Sequence, residues 1–279
     1  MVHFTYRSSY DFNDLQNILR ILRAPDGCPW DRVQTHESNR RNFLEEAYEA
    51  AEAFDRDDPV MMCEELGDVL MQVLFNVHME EDAGRFTFAD VTDRICKKLI
   101  FRHPHVFGTA DAPTPEAVSV SWEELKRKEK SLSSPSDELA HVAKSLPALW
   151  RAEKLQKKAA AVGFDYKDAD GALTKLREET EELANAAHGD GDVAEELGDV
   201  LFAAVKAGRF FGLDPETTLH ATCEKFISRF RIMESCAGAS LSDCSETELS
   251  RLWEEAKHIQ HQKTNDLVKK TGGQFYEQV

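Results

Sequence analysis

No run of apolar residues in this chain approaches the ~18 needed to span a bilayer; stretches such as Val69 to Phe75 are broken by polar residues. The opening segment, MVHFTYRSSYDFND, has no basic region followed by an apolar one, so no signal peptide is expected. Bases are in short supply: 34 Lys and Arg against 51 Asp and Glu leave a net charge of −17 and a pI near 5.0. Coating nucleic acid or an anionic membrane requires a basic surface, so both are excluded as the main task. Cysteine is sparse and scattered, at Cys28, Cys63, Cys96, Cys223, Cys236 and Cys244, with no CxxC pair. A chain of 279 residues can bury its cores without disulfide staples. Free thiols in a reducing cytoplasm are therefore expected, and a zinc site is not.

Alternation with period 2 is also missing, so no strands are predicted. Period 3.6 is everywhere instead. Leu66, Val69, Leu70, Val73, Leu74 and Val77 fall on one helix face, and Leu44, Ala47, Tyr48 and Ala51 do so in the preceding segment. Asp214-Pro215 reads as an N-cap with proline at N1, and Ser245-x-x-Glu248 and Ser121-x-x-Glu124 as capping boxes. With 42% hydrophobic and 30% charged residues, the chain is expected to be soluble, globular and all-α.

Two stretches interrupt the helical pattern: Thr109 to Val120, with Pro113 and Pro115, and Ser131 to Ser136, around Pro135. The second makes the better linker and divides the chain into predicted domains 1–134 and 135–279. These halves repeat one another. EELGDVL occurs at Glu64 to Leu70 and again at Glu195 to Leu201. Glu45-Glu46-x-x-Glu49 is matched by Glu178-Glu179-x-x-Glu182, Lys98 with Arg102 by Lys225 with Arg229, and Trp122 with Lys126 by Trp253 with Lys257. Four matches in the same order mark a tandem duplication.

The repeated acids carry the chemistry. Glu179 and Glu182 lie one turn apart on one helix, and Glu196 and Asp199 stand in the same relation on the next. Antiparallel packing across the Gly189 to Asp192 turn would set the two pairs opposite each other, with Leu197, Val200, Leu201 and Ala204 marking the inward side. A single EExxE run is ordinarily a solvated helix face. Two such runs on adjacent helices, in both half-chains, would repel strongly without a cation. Four carboxylates without His or Cys suit Mg²⁺, with Mn²⁺ as a substitute. Gly67 and Gly198 sit between the paired acids and would let another helix or a ligand approach the backbone, unless they only ease packing. Lys225 and Arg229, four residues apart, offer a point charge and a planar fork to phosphate. Trp253 is either a core residue or an aromatic plate, with Lys257 one turn away.

Glu-Glu-x-x-Glu, a spacer and Glu-x-x-Asp resemble the signature of the all-α nucleoside triphosphate pyrophosphohydrolases in their tandem, MazG-like form. Asp26-Gly27-Cys28-Pro29-Trp30-Asp31, Arg102-His103-Pro104-His105-Val106-Phe107 and Val162-Gly163-Phe164-Asp165 extend the likeness over nearly the whole chain. The resemblance implies Mg²⁺-dependent hydrolysis of an NTP, ATP included, to NMP and pyrophosphate, on helical bundles completed by dimerisation. It implies Glu179, Glu182, Glu196 and Asp199 as metal ligands, and Lys175, Glu195, Lys225, Arg229, Trp253 and Lys257 as nucleotide contacts. Glu178, the acid beside the ligands, is the candidate to orient or deprotonate water. In the first copy Glu46, Glu49, Glu65 and Asp68 form the matching metal set, but Asn42 stands where the second copy has Lys175. The second copy is therefore favoured for catalysis. His103-Pro104-His105 reads as a turn cap rather than a metal site, and Pro29-Trp30 as a corner beside the helix carrying Glu46. A narrower enzyme acting on dUTP, dCTP or phosphoribosyl-ATP would share all these residues, and a non-catalytic module binding nucleotide or metal would share most.

Overall fold

The computed structural model describes residues 4–109, 134–238 and 240–270, together with residues 114, 117, 118, 122, 125 and 129; for 264–270 it describes the backbone alone. The capping pair Ser121 and Glu124, and Lys126, lie outside the described residues. The chain forms two compact units, 1–130 and 131–279. The boundary read from sequence, 134/135, falls four residues into the second unit. No strand occurs among the described residues, and no helix there is long and apolar enough to cross a membrane.

In the first unit the helices are α1 (Phe12–Arg23), α2 (Pro29–Val33), α3 (His36–Asp55), α4 (Pro59–Asp82), α5 (Phe88–Arg102) and α6 (Pro104–Phe107). The second contains α7 (Pro135–Ala140), α8 (Ala148–Ala160), α9 (Ala169–Ala187), α10 (Val193–Phe210), α11 (Pro215–Cys236) and α12 (Glu246–Lys270), with a short 3₁₀ turn at Leu241–Asp243. Helix starts are written into the sequence twice. Thr35 caps α3 and Asp168 caps α9, Asp58 caps α4 and Asp192 caps α10, and Thr87 caps α5 and Asp214 caps α11, each side chain accepting from a backbone N–H of the first turn. The three cap pairs are 133, 134 and 127 residues apart, so the duplication extends to the local signals that start each helix. At Ser245 the hydroxyl accepts from the Glu248 N–H at 3.3 Å, as the spacing predicts.

Each unit is built on one tightly packed hairpin, α3 with α4 and α9 with α10. The α9–α10 turn uses Gly189 at φ 107° and Gly191 at φ 147°, conformations that other residues adopt at a cost. Alanines line the inside of these hairpins: Ala50 and Ala53 in the first, Ala172, Ala186, Ala203 and Ala207 in the second, all buried. Small side chains let the two backbones approach, and that choice of inner face overturns part of the sequence reading. Leu197 and Leu201 are 48% and 49% exposed and Ala204 is exposed, while the inward side of α10 carries Ala203, Val205, Lys206 and Ala207. On α3 the face of Leu44, Ala47, Tyr48 and Ala51 is likewise exposed, and on α4 Leu66 and Leu70 are exposed while Leu74 and Val77 are buried. Among the described residues a Cβ added at Gly67 or Gly198 would meet nothing within 4 Å, so no described element uses the approach those glycines allow.

Larger side chains make the cores away from the acids. Leu19, Leu74, Phe75 and Met79 cluster where α1 crosses α4, and Met233, Leu252 and Ala256 where α11 meets α12. Gly27 shapes the corner before α2, because a Cβ there would lie 2.2 Å from the Ile21 carbonyl oxygen. That corner packs α2 on α1 and leads directly into the Thr35 cap of α3, the helix that carries Glu46, with Trp30 exposed. All six cysteines are free.

Candidate active site

Helix α9 presents Lys175, Glu178, Glu179 and Glu182 on successive turns, and the start of α10 presents Glu195, Glu196 and Asp199. Hairpin packing brings one carboxylate oxygen each of Glu179, Glu196 and Asp199 to within 4.8 Å of one another. Glu182, one turn further along α9, lies outside that convergent three but close enough to Glu179 for each to shift the other's carboxyl. Glu179 is buried, Glu196 half-buried, and Glu182 and Asp199 exposed, so the cluster opens outward. Glu195 is exposed in the first turn of α10 and stands outside the convergent three.

Lys175 sets the charge of this cluster. Its Nζ lies 2.9 Å from Oε1 of Glu179 and 3.5 Å from Oε2 of Glu178. That hydrogen bond holds the Glu179 carboxyl below the usual range, and the neighbouring acids hold the Lys175 ammonium above its own. Glu182 is pushed the other way, first by its hydrogen bond to the ionised Glu179 and then by repulsion from Glu179 and Glu196. One acid is kept charged while its neighbour is driven toward the proton. A divalent cation relieves that conflict, and an all-carboxylate donor set fits a hard ion.

A cleft of about 420 Å³ adjoins the cluster, lined by Lys175, Glu179 and Asp199 together with Phe164, Tyr166 and Phe202. Asp165 lines it too, accepting from Lys206 at 2.8 Å and from Arg209. Burial opposes its ionisation, but these bonds hold the carboxyl below its ordinary value. Tyr166, Phe202, Lys206 and Arg209 went unnoticed in sequence; only Phe164 and Asp165 stand in a noted motif, and the pairing of Asp165 with Arg209 spans 44 residues.

The other nucleotide candidates sit on α11 and α12, and none lines this cleft. Lys225 is exposed. Arg229 donates from Nε to Oε1 of Gln260 at 2.6 Å. Trp253 packs 5.1 Å from the Phe226 ring and against the α11–α12 core, and Lys257 pairs with Glu254 at 2.6 Å.

In the first unit Glu46, Glu49 and Glu65 converge within 4.8 Å, with Asp68 acting on Glu46 by repulsion. Burial and then Asp68 raise the Glu46 carboxyl, against a 3.4 Å hydrogen bond from Gln72. Burial and then Glu49 raise Glu65. His103 caps α5, its Nδ1 2.6 Å from the Leu99 carbonyl oxygen, and its ring meets Trp122 at 4.8 Å. That contact gives the His-Pro-His run a structural use.

A family model described as the MazG nucleotide pyrophosphohydrolase domain matches the chain twice, over residues 34–107 and 169–231. The chain is 41% identical to the nucleoside triphosphate pyrophosphohydrolase/pyrophosphatase MazG of Thermotoga maritima, across 88% of this chain and 95% of that protein. It is 37% identical to the nucleoside triphosphate pyrophosphohydrolase of Escherichia coli, across 87% and 95%. It is also 43% identical to an uncharacterised Bacillus subtilis protein, YabN, covering 90% of this chain and 52% of that one.

Proposed function

The chain belongs to the MazG nucleotide pyrophosphohydrolase family, and on that premise we propose that its second unit hydrolyses nucleoside triphosphates at the α–β anhydride, yielding NMP and pyrophosphate. The observation that carries this reading is the convergence of Glu179, Glu196 and Asp199 beside Lys175 at the mouth of a cleft large enough for a nucleoside. Glu179, Glu182, Glu196 and Asp199 would hold Mg²⁺, or Mn²⁺ in its place. Bound there, the ion supplies charge neutralisation for the triphosphate and lowers the pKa of water. Lys175 keeps Glu179 ionised and ready to bind. Glu178, exposed and outside the convergent group, orients the attacking water and accepts its proton on a carboxylate oxygen. Phe164, Tyr166 and Phe202 receive the nucleoside. Lys225, Arg229, Trp253 and Lys257 engage the phosphates and sugar, with Glu195 at the edge of the metal cluster.

A homodimer accounts for the large aliphatic side chains left exposed. Leu197 and Leu201, and in the first unit Leu44, Leu66 and Leu70, form apolar surface that a second copy of the chain would bury. Glu46, Glu49, Glu65 and Asp68 hold a second metal ion. The acidic balance argues against nucleic acid and membrane as partners, and six free thiols fit a cytoplasmic protein. The test is a panel of common NTPs and dNTPs, with dUTP, dCTP and phosphoribosyl-ATP, assayed with Mg²⁺ and again with chelator. NMP and pyrophosphate from several NTPs, lost on chelation, are expected. Turnover confined to one member would establish the narrower enzyme, and none on any member would favour a binding module.

A further inference from the structure

The two units set matching arginines against different hydrogen-bond acceptors, although Arg229 also lies close enough to the Glu254 carboxylate to act on it. Arg102 and Arg229 stand 127 residues apart, and Trp122 and Trp253 stand 131 apart. The acceptors of the two arginines, Glu129 and Gln260, are also 131 apart, so they occupy the same place in the repeat. In the first unit Arg102 is buried, and donates from Nε at 2.8 Å and from Nη2 at 2.5 Å to Oε2 of Glu129. Its guanidinium lies 5.3 Å over the Trp122 ring. In the second unit Arg229 makes the corresponding Nε bond at 2.6 Å, but to the neutral carboxamide of Gln260. Glu129 and Asp90 also line a first-unit cleft of about 830 Å³ together with Arg85, which pairs with Glu80, and with Arg94 and Lys98. The Glu129 carboxylate therefore stands among the cations of that cleft.

A carboxylate on a guanidinium neutralises it and competes with phosphate oxygens for the same N–H groups, whereas a carboxamide orients the fork and leaves its charge intact. We propose that this position, Glu129 in the first unit and Gln260 in the second, selects which unit accepts a polyphosphate: Glu129 stands in for the anion and closes the first unit to it, and Gln260 keeps Arg229 open to it. Both act through an arginine, as positioning residues. The inference rests on the assignment of Arg229 to phosphate in the proposed reaction.

Two pairs of variants test it in the full chain. Gln260→Glu should raise the KM for the Mg²⁺–NTP complex about tenfold, in line with the ~1.4 kcal/mol that separates a neutralised from a free ionic contact, with a much smaller change in kcat. Gln260→Met, neutral but unable to accept from Arg229, removes the orienting bond without adding charge and should raise KM less than Gln260→Glu does. In a chain already carrying Glu179→Ala, adding Glu129→Gln should tighten calorimetric binding of an α,β-imido NTP analogue with Mg²⁺ by roughly tenfold. Equal KM rises in both Gln260 variants, or unchanged analogue binding in a folded Glu129→Gln chain, would overturn the proposal. Should Glu129→Gln prevent folding, the two Gln260 variants decide alone. Failure of the hydrolytic reading is distinguishable, because the wild type would then release no pyrophosphate while analogue binding still compares Glu129→Gln with its parent.

Discussion

Lys175 lies 2.9 Å from Glu179 in the second unit; at the matching position of the first unit stands Asn42, and among the described residues no cation is paired with Glu46 to offset Asp68 and Glu49. The consequence is opposite in sign. Glu179 is held ionised, whereas Glu46 and Glu65 are pushed toward the protonated form. Further along, Arg102 donates to the Glu129 carboxylate, while Arg229 donates to the Gln260 carboxamide. Duplication preserved the acids and let their electrostatic surroundings diverge. Counting carboxylates therefore does not separate the two clusters, whereas the cations placed against them do.

The largest separation between the units should come from the acid beside the ligands. Glu178→Gln is expected to lower kcat by about a hundredfold, the scale of general base catalysis, with Mg²⁺ affinity nearly unchanged. Its counterpart Glu45, paired with Arg41 at 2.7 Å, should tolerate Glu45→Gln with little loss. Steady-state kinetics and Mg²⁺ titration check both, and a large fall in Mg²⁺ affinity in Glu178→Gln would make Glu178 a ligand instead. Lys175→Met should follow, with kcat/KM down on the order of tenfold from the loss of a charge-assisted hydrogen bond. Asn42→Lys in the first unit should lower the Glu46 pKa, read by NMR, and bring the two clusters closer in behaviour.

Next in size is assembly. Leu201→Glu and Leu70→Glu place charge on the exposed apolar faces and should each shift the chain from dimer toward monomer in sedimentation. A wild-type chain that sediments as a monomer would remove the dimer from the account.

The smallest effect separates the units by pH. His36 touches Glu80 and Asn76 in the first unit, and Ala169 stands at its place in the second. Hydrogen bonds to Asn76 and then to Glu80 raise His36 above 6.5, while Arg85 and then His36 hold Glu80 down at about 2. A raised histidine stabilises fully below its unfolded pKa and loses that contribution as pH rises through the folded value. A depressed carboxyl stabilises above its unfolded pKa, near 4.5, and loses that contribution as pH falls toward about 2. Both are in force between about 4.5 and 6.5. His36 is partly exposed, so at most about 1 kcal/mol of stability should disappear above that window. Denaturant melts of wild type and His36→Gln at pH 6 and pH 9 should show the fall only in the wild type.

Much of this was legible in the chain itself. The capping residues, the helical period and the repeated EExxE and ExxD spacings are local signals, and local signals survive in a single sequence. The inner faces were misjudged because Leu197 and Leu201 look like core residues when side chains are weighed by hydrophobicity alone. In these hairpins close backbone approach selects alanine for the inside. The aromatic cleft was not legible, because Phe164, Tyr166 and Phe202 are brought together by packing and share no spacing. Nor was the contrast between Glu129 and Gln260, which requires knowing what each arginine touches.

The central claim, that the second unit is the main site of hydrolysis, meets its most direct test in pyrophosphate release from NTP with saturating Mg²⁺. Glu179→Ala should abolish release, and Glu46→Ala should leave most of it. Release that survives Glu179→Ala but is lost in Glu46→Ala would place the reaction in the other unit and contradict the account.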